Sequence, residues 1–173
     1  PNLDGSFTVT LFMPSEGEVS FEKLQSDAEI EAFFKKEFPD TLELMPDFIN
    51  NFKMNPTASL VTVKSSPWNY LDKILLMGDA AHAIVPFYGQ GMNCGFEDCS
   101  VLDNLMNEYK NDWSKIAPAY TKARKINGDA IADLALSNYI EMRDLTAQPE
   151  FLLRKKIEVL FTKNHPDKWL PLY

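Results

Sequence analysis

The spacing of hydrophobic residues first predicts two strands separated by helices. Residues 6–14 (SFTVTLFMP) and 58–66 (ASLVTVKSS) are short runs rich in β-branched and aromatic residues, as is typical of strands. Between them, Ser26 or Asp27 is a suitable N-cap for an amphipathic helix that ends before Pro39, and a second short helix follows near residues 46–51. This part of the chain is therefore expected to have α+β character.

From residue 73 onwards the pattern changes to a strand, a glycine turn, a loop and then helices. The apolar run 73–77 (KILLM) leads into Gly78, and apolar positions at helical spacing begin soon after Gly91. The same spacing continues from Trp113 to about residue 150. The predicted fold class is thus α/β, with α+β character in part, and composition marks no linker between its parts.

A cluster of glycines carries the candidate chemistry, because four of the seven glycines lie between residues 78 and 95. Asp79 follows an apolar strand, where a carboxylate is costly unless a donor such as a ribityl or ribose hydroxyl binds it. Gly89 and Gly91 precede a helix, so bare amides at its positive end would meet a negatively charged group. The structural alternative is that these glycines only ease a turn and a helix contact.

Composition narrows the class of protein further. The chain has 25 acidic and 17 basic residues, a net charge of -8, which disfavours a nucleic-acid partner. Cys94 and Cys99 are expected to be core residues that form neither a disulfide nor a metal site.

No apolar run approaches the ~20 residues that span a bilayer, so this fragment is expected to be soluble. Because the chain begins at Pro1, we expect it to be part of a longer protein.

Three motifs carry a resemblance to a known family. The segment GDAAHAIVPFYGQGMNCGFEDC (78–99) resembles the second flavin fingerprint of the class A flavoprotein aromatic hydroxylases, the p-hydroxybenzoate hydroxylase-like family. Together with SNYIEMRD (137–144) and the run 6–14, it is similar to members, fungal ones in particular, that act on L-kynurenine.

The resemblance implies a division of the chain within that family's FAD-binding fold, of which this would be the carboxy-terminal portion. Residues 1–66 would form part of the substrate-binding β-sheet domain. Residues 67–110 would be the second half of the FAD-binding domain, and residues 111–173 a C-terminal helical region.

The resemblance also implies two sets of binding residues, and it implies neither a catalytic side chain nor a metal. The residues expected to bind FAD, through the ribityl chain and the flavin ring, are Gly78, Asp79, Pro86, Gly89, Gln90, Gly91, Met92 and Asn93. Those expected to bind the substrate are Phe12, Phe87, Tyr88, Asn138, Glu141 and Met142.

Some of these residues also have plain structural interpretations. His82 is expected to be a structural hydrogen-bonding residue and not a base. Glu141 could equally be a solvated helix residue, and the methionines could be core residues that fill gaps.

The implied reaction is hydroxylation of L-kynurenine to 3-hydroxykynurenine with FAD, NADPH and O2, through a flavin C4a-hydroperoxide. The family's amino-terminal dinucleotide fingerprint and its arginine and tyrosine for the substrate carboxylate are missing here. The isolated chain is therefore expected to be inactive and to stay bound to the amino-terminal portion of the same enzyme. The resemblance places that enzyme on the cytosolic face of the mitochondrial outer membrane, held by a segment not evident in this sequence.

Two alternatives remain open at this point. One is another class A flavin monooxygenase with a different aromatic or lipid substrate. The other is a non-catalytic interaction domain that keeps a degenerate flavin fold.

Overall fold

The computed structural model describes residues 1–169, which form two compact units dividing between Ser59 and Leu60. The first unit contains a 3-10 turn, Phe21–Lys23, and three helices: α1, Asp27–Glu37; α2, Thr41–Leu44; and α3, Phe48–Met54. The second contains β1, Asn69–Tyr70; β2, Ile74–Leu75; α4, Asp79–His82; a 3-10 turn, Pro86–Tyr88; α5, Gly91–Glu108; α6, Trp113–Ile140; a π turn, Glu141–Leu145; and α7, Pro149–Asn164.

The first unit is organised around α1, whose start and end confirm the prediction from sequence. Ser26 is the N-cap and forms a capping box with Glu29, in which the Ser26 amide donates to the Glu29 carboxylate at 2.8 Å. Ile30 on this helix is buried, and the Phe34 ring packs against the Phe48 ring of α3 at a centroid distance of 5.1 Å. Aromatic packing therefore joins α1 to α3.

The two strands predicted at residues 6–14 and 58–66 are wrong for this structure. Both runs lack regular secondary structure, and the sheet in the described part of the chain consists of β1 and β2 alone. These pair antiparallel with Asn69 opposite Leu75, so the predicted strand at 73–77 is also shorter than expected. A strand forms only where a neighbour pairs a series of backbone N–H and C=O groups. Among residues 1–169 no such ladder forms beside these runs, although Val63 N–H donates a hydrogen bond to the Ala83 carbonyl at 2.9 Å. With its helices and small sheet, the described chain has the partial α/β character that the sequence predicts.

The core of the second unit lies between α4, α5 and α6. Trp68, Ala81 and Tyr120 are buried together, with partly buried apolar residues of β2 and α5 around them. The Trp68 ring lies 5.2 Å from the His82 ring and 6.4 Å from the Tyr120 ring, centroid to centroid. A Cβ atom on Gly128 of α6 would lie 2.9 Å from Trp68, so α6 approaches this ring as closely as a glycine permits.

Candidate functional site

A groove with a volume of about 590 Å³ runs along the second unit between the turn at Gly78 and the start of α5. Its lining includes most of the residues predicted to bind a cofactor: Gly78, Asp79, Pro86, Gly89, Gly91 and Met92. Ile84, Gly95, Phe96 and Cys99 complete the lining. The remaining two predicted residues, Gln90 and Asn93, lie at the start of α5 without lining the groove.

Two glycines of the groove wall have backbone conformations that favour glycine, and the space beside three of the wall glycines is open. Gly78 and Gly89 have φ angles of 55° and 65°, which residues with a side chain rarely adopt. A Cβ atom on Gly78, Gly89 or Gly95 would meet no other atom within 4 Å. The space beside these three residues is therefore open, and the backbone itself forms the wall.

The N-terminus of α5 presents uncapped amides at this groove. The side chain of the N-cap residue Gln90 accepts no hydrogen bond from a backbone amide of the first turn, and its Oε1 instead accepts from the Asn93 side-chain Nδ2 at 2.8 Å. The first amides of an α-helix have no partner inside the helix and carry the positive end of its dipole. Gly91 and Met92 therefore offer donors suited to an anionic or strongly accepting ligand group.

Asp79 does not occupy the buried position that the sequence suggested. It begins α4 and is exposed, so its carboxylate keeps its contact with water. The expectation that Asp79 needs a ligand to offset the cost of burial is thus wrong. As a wall residue of the groove, Asp79 is still placed to accept a hydrogen bond from a ligand hydroxyl.

The buried carboxylate of the site belongs to Asp98 on α5, a residue that is not among those predicted from the sequence. Its Oδ2 accepts a hydrogen bond from the Gly78 amide at 2.9 Å and lies 2.7 Å from His82 Nε2. Its Oδ1 accepts from Arg124 Nε of α6 at 2.7 Å. Asp98, Arg124 and His82 are 0%, 1% and 3% exposed. Asp98 of α5 therefore connects this helix to α4 and to α6. His82 acts as a structural hydrogen-bonding residue, as expected.

Opposing effects act on the ionisation of Asp98. Burial raises the pKa of the carboxyl group, because the charged form loses its hydration. The hydrogen bonds from Arg124 and from the Gly78 amide outweigh burial, so the pKa lies below its ordinary value. Arg124 also lies 2.6 Å from Glu97 at the surface, through Nη1, and donates to the Cys94 carbonyl at 3.3 Å. Asp98 is consequently a carboxylate at neutral pH.

A helical signal could have revealed this cluster. Cys94 and Asp98 lie four residues apart on the buried face of α5, and Tyr120, Arg124 and Gly128 recur every four residues on the buried face of α6. A charged residue on an apolar face of each of two helices indicates a buried ion pair.

The predicted substrate residues beside the groove are joined through the turn Pro86–Tyr88. Asn138 Nδ2 of α6 donates to the Phe87 carbonyl at 2.5 Å. The Phe87 ring also stacks on the Tyr139 ring, with 4.4 Å between centroids, and Arg143 lies over the Tyr139 ring at 5.0 Å from its centroid. The end of α6 thus fixes the aromatic turn that contains Phe87 and Tyr88.

Of the other predicted substrate residues, Met142 also contacts Asn138, whose Nδ2 donates to Met142 Sδ at 3.6 Å. Glu141 and Met142 belong to the π turn, where Glu141 pairs with Lys155 of α7 at 3.4 Å and Met142 is exposed. Phe12 belongs to the first unit. Cys94 is buried as expected, whereas Cys99 is exposed and lines the groove, so its assignment to the core is wrong; both thiols are free.

Comparison with known proteins shows what this chain is similar to. A model of the FAD binding domain matches residues 57–135, the interval that contains the groove and the Asp98 cluster. Over the whole chain, kynurenine 3-monooxygenases from Flavobacterium johnsoniae and Myxococcus xanthus are 58% and 50% identical. The one from Dictyostelium discoideum is 45% identical over 185 residues. The chain is a homologue of the kynurenine 3-monooxygenases.

The similarity to these relatives confirms the resemblance drawn from the motifs and shows how much of each relative the chain covers. The chain is covered completely, but it spans only 39%, 37% and 40% of these three relatives. The chain thus spans about two fifths of the length of a kynurenine 3-monooxygenase. None of these three relatives is fungal, and the fungal source stays a prediction. None of the helices within residues 1–169 is long and apolar enough to cross a membrane.

Proposed function

We propose that the chain is part of an FAD- and NADPH-dependent monooxygenase that converts L-kynurenine to 3-hydroxykynurenine. The observation that carries this proposal is the groove between Gly78 and α5. It combines a glycine wall, uncapped helix amides and an exposed carboxylate within the interval matched by the FAD binding domain.

The residues present at the groove suit FAD. A flavin and its ribityl chain need a flat, open wall, and the glycines at 78, 89 and 95 leave such space. Asp79 would accept hydrogen bonds from ribityl hydroxyls at little desolvation cost, because it is exposed. The amides of Gly91, Met92 and Asn93 at the start of α5 would donate to the ring edge where reduced flavin carries negative charge.

Bound FAD would supply the redox chemistry, in which NADPH provides two electrons and O2 provides one oxygen atom to the substrate ring and one to water. The chain's own residues orient the substrate and exclude water. Phe87 and Tyr88 would pack on the kynurenine ring. Asn138 donates its Nδ2 to the Phe87 carbonyl, which leaves its Oδ1 to accept from the substrate ammonium. Glu141 and Met142 would complete the part of the substrate site that lies in the second unit. The role of Phe12 in substrate binding stays a prediction from the resemblance.

The proposal includes partners outside this chain. The rest of the FAD and substrate sites would come from the amino-terminal portion of the same enzyme, and the isolated chain would be inactive. The location on the mitochondrial outer membrane belongs to the same proposal, and fractionation of cells that express the tagged full-length protein tests it.

The decisive experiment is to purify the full-length protein, record its visible spectrum and assay it with NADPH, O2 and L-kynurenine. We expect bound flavin and a 3-hydroxykynurenine product, identified by mass spectrometry and formed in proportion to NADPH consumed. Bound flavin that hydroxylates another aromatic compound but not L-kynurenine would favour a different class A hydroxylase. A protein that binds no flavin would favour an interaction domain.

A further inference from the structure

The buried Asp98 carboxylate accepts a hydrogen bond from the amide of Gly78, a residue of the groove wall with an uncommon backbone conformation. Gly78 has φ 55° and ψ −142°, a combination open almost only to glycine. Such a conformation persists only where the surrounding structure holds it. The Gly78 amide donates to Asp98 Oδ2 at 2.9 Å, so a fully buried charge acts directly on this residue.

The rest of the cluster keeps that carboxylate charged and in place. Arg124 binds the opposite oxygen, Oδ1, and the side chain of Arg124 is itself 1% exposed. His82 approaches Oδ2 through Nε2, while its Nδ1 is buried with no hydrogen-bond partner in residues 1–169. Since a carboxylate only accepts, His82 carries its proton on Nε2. Asp98 is thus held from both sides by residues that do not line the groove.

We infer that Asp98 is a positioning residue for FAD, which acts through the Gly78 amide to hold the glycine turn and the adjoining Asp79 in their binding geometry. This inference rests on the proposed function, because it concerns the same groove. Asp98 itself does not line the groove, so its effect on a ligand is transmitted by the backbone. The family match covers Asp98 but assigns it no role.

The substitution Asp98→Asn separates this role from the other bonds of the cluster. The amide side chain of the variant can keep its oxygen towards Arg124 and turn its NH2 group towards His82. His82 can then move its proton to Nδ1 and accept through Nε2. The Gly78 N–H faces a donor in this arrangement and loses its acceptor. Asp103→Asn is the matched control, because Asp103 is an exposed carboxylate on the same helix.

The test uses the full-length protein, stripped of flavin and titrated with FAD, together with residue-resolved hydrogen exchange at Gly78. We expect Asp98→Asn to raise the Kd for FAD about tenfold, as for loss of a charged hydrogen bond. We also expect Gly78 exchange to accelerate in the folded apoprotein, while Asp103→Asn changes neither quantity. A change in exchange at this one amide distinguishes positioning from a general loss of stability.

The outcomes separate the inference from the proposed function. If the wild type binds FAD and folded Asp98→Asn binds it equally well, the inference fails and the proposed function stands. If the wild type binds no FAD, the proposed function fails, and Gly78 exchange alone decides whether Asp98 holds the turn. If Asp98→Asn does not fold, slow exchange at Gly78 in the wild-type apoprotein supports the inference. Exchange there as fast as at an exposed amide overturns it.

Discussion

Replacing Gly128 with alanine tests how tightly α6 packs against Trp68 and against His82 of α4. The added Cβ atom would lie 2.9 Å from Trp68 Cη2, 3.3 Å from Cζ2 and 3.4 Å from His82 Cβ. Contacts this short require the neighbour to move. Trp68 is 1% exposed and its Nε1 donates to the Ser65 carbonyl at 3.1 Å, so its indole has little freedom to shift.

Two effects of opposite sign determine how much Gly128→Ala changes the free energy of unfolding. Alanine in a helix interior is more stable than glycine by about 1 kcal/mol, because the unfolded chain has less freedom to lose. Overpacking a dense core costs about 1–3 kcal/mol. At Gly128 the clash is with a rigid buried ring, so we expect the upper half of that range and a net destabilisation of about 1–2 kcal/mol.

The control is Gly95→Ala, which makes the same change within α5. A Cβ atom at Gly95 meets nothing within 4 Å, so only the higher helix propensity of alanine remains. We therefore expect Gly95→Ala to increase the free energy of unfolding by up to about 1 kcal/mol. Urea unfolding of the full-length proteins without added FAD, followed by tryptophan fluorescence, measures both variants. Equal or greater stability of Gly128→Ala than of Gly95→Ala would refute the packing argument.

Three further results are expected. Asn138→Ala should raise the KM for L-kynurenine about five- to tenfold through loss of the bond to the Phe87 carbonyl, while flavin titration shows an unchanged Kd for FAD. Because the folded-state pKa of Asp98 lies below its ordinary 3.8, its stabilising contribution is complete above pH 3.8 and declines as pH falls through the folded value. Acid titrations of unfolding should thus be less steep for Asp98→Asn, and an identical slope would contradict this. Ser26→Ala should destabilise α1 by about 1 kcal/mol in urea unfolding, and no change would show that the capping box contributes nothing.

Local signals predicted the helices because each signal lies within the helix it defines. Ser26 and Glu29 are three residues apart, so the start of α1 is encoded by side chains that contact each other. The prediction of strands at 6–14 and 58–66 was wrong for the opposite reason. Their composition suits a strand, but pairing depends on partners distant in sequence, which composition does not reveal.

The groove shows the same division between local and distant information. Gly78, Gly89 and Gly91 stand out in a glycine-poor chain, and their neighbours in sequence are also their neighbours in the groove. Asp98 lies 20 residues from the Gly78 amide and 26 from Arg124, its partner on α6. Since most charged helix residues are solvated, residue type alone does not separate Asp98 from Asp103. Its position on the buried helix face was the signal available.

Helix α6 connects the two halves of the proposed site. Arg124 holds Asp98 beside the Gly78 turn, and Asn138 holds the Phe87 turn. These residues lie on one face of a single helix, about 21 Å apart at 1.5 Å per residue. Gly128, between them, lets that face contact Trp68. Because a helix changes its length little, α6 would fix the spacing between the flavin turn and the aromatic turn. A shift of α6 at Gly128 would then displace both turns together.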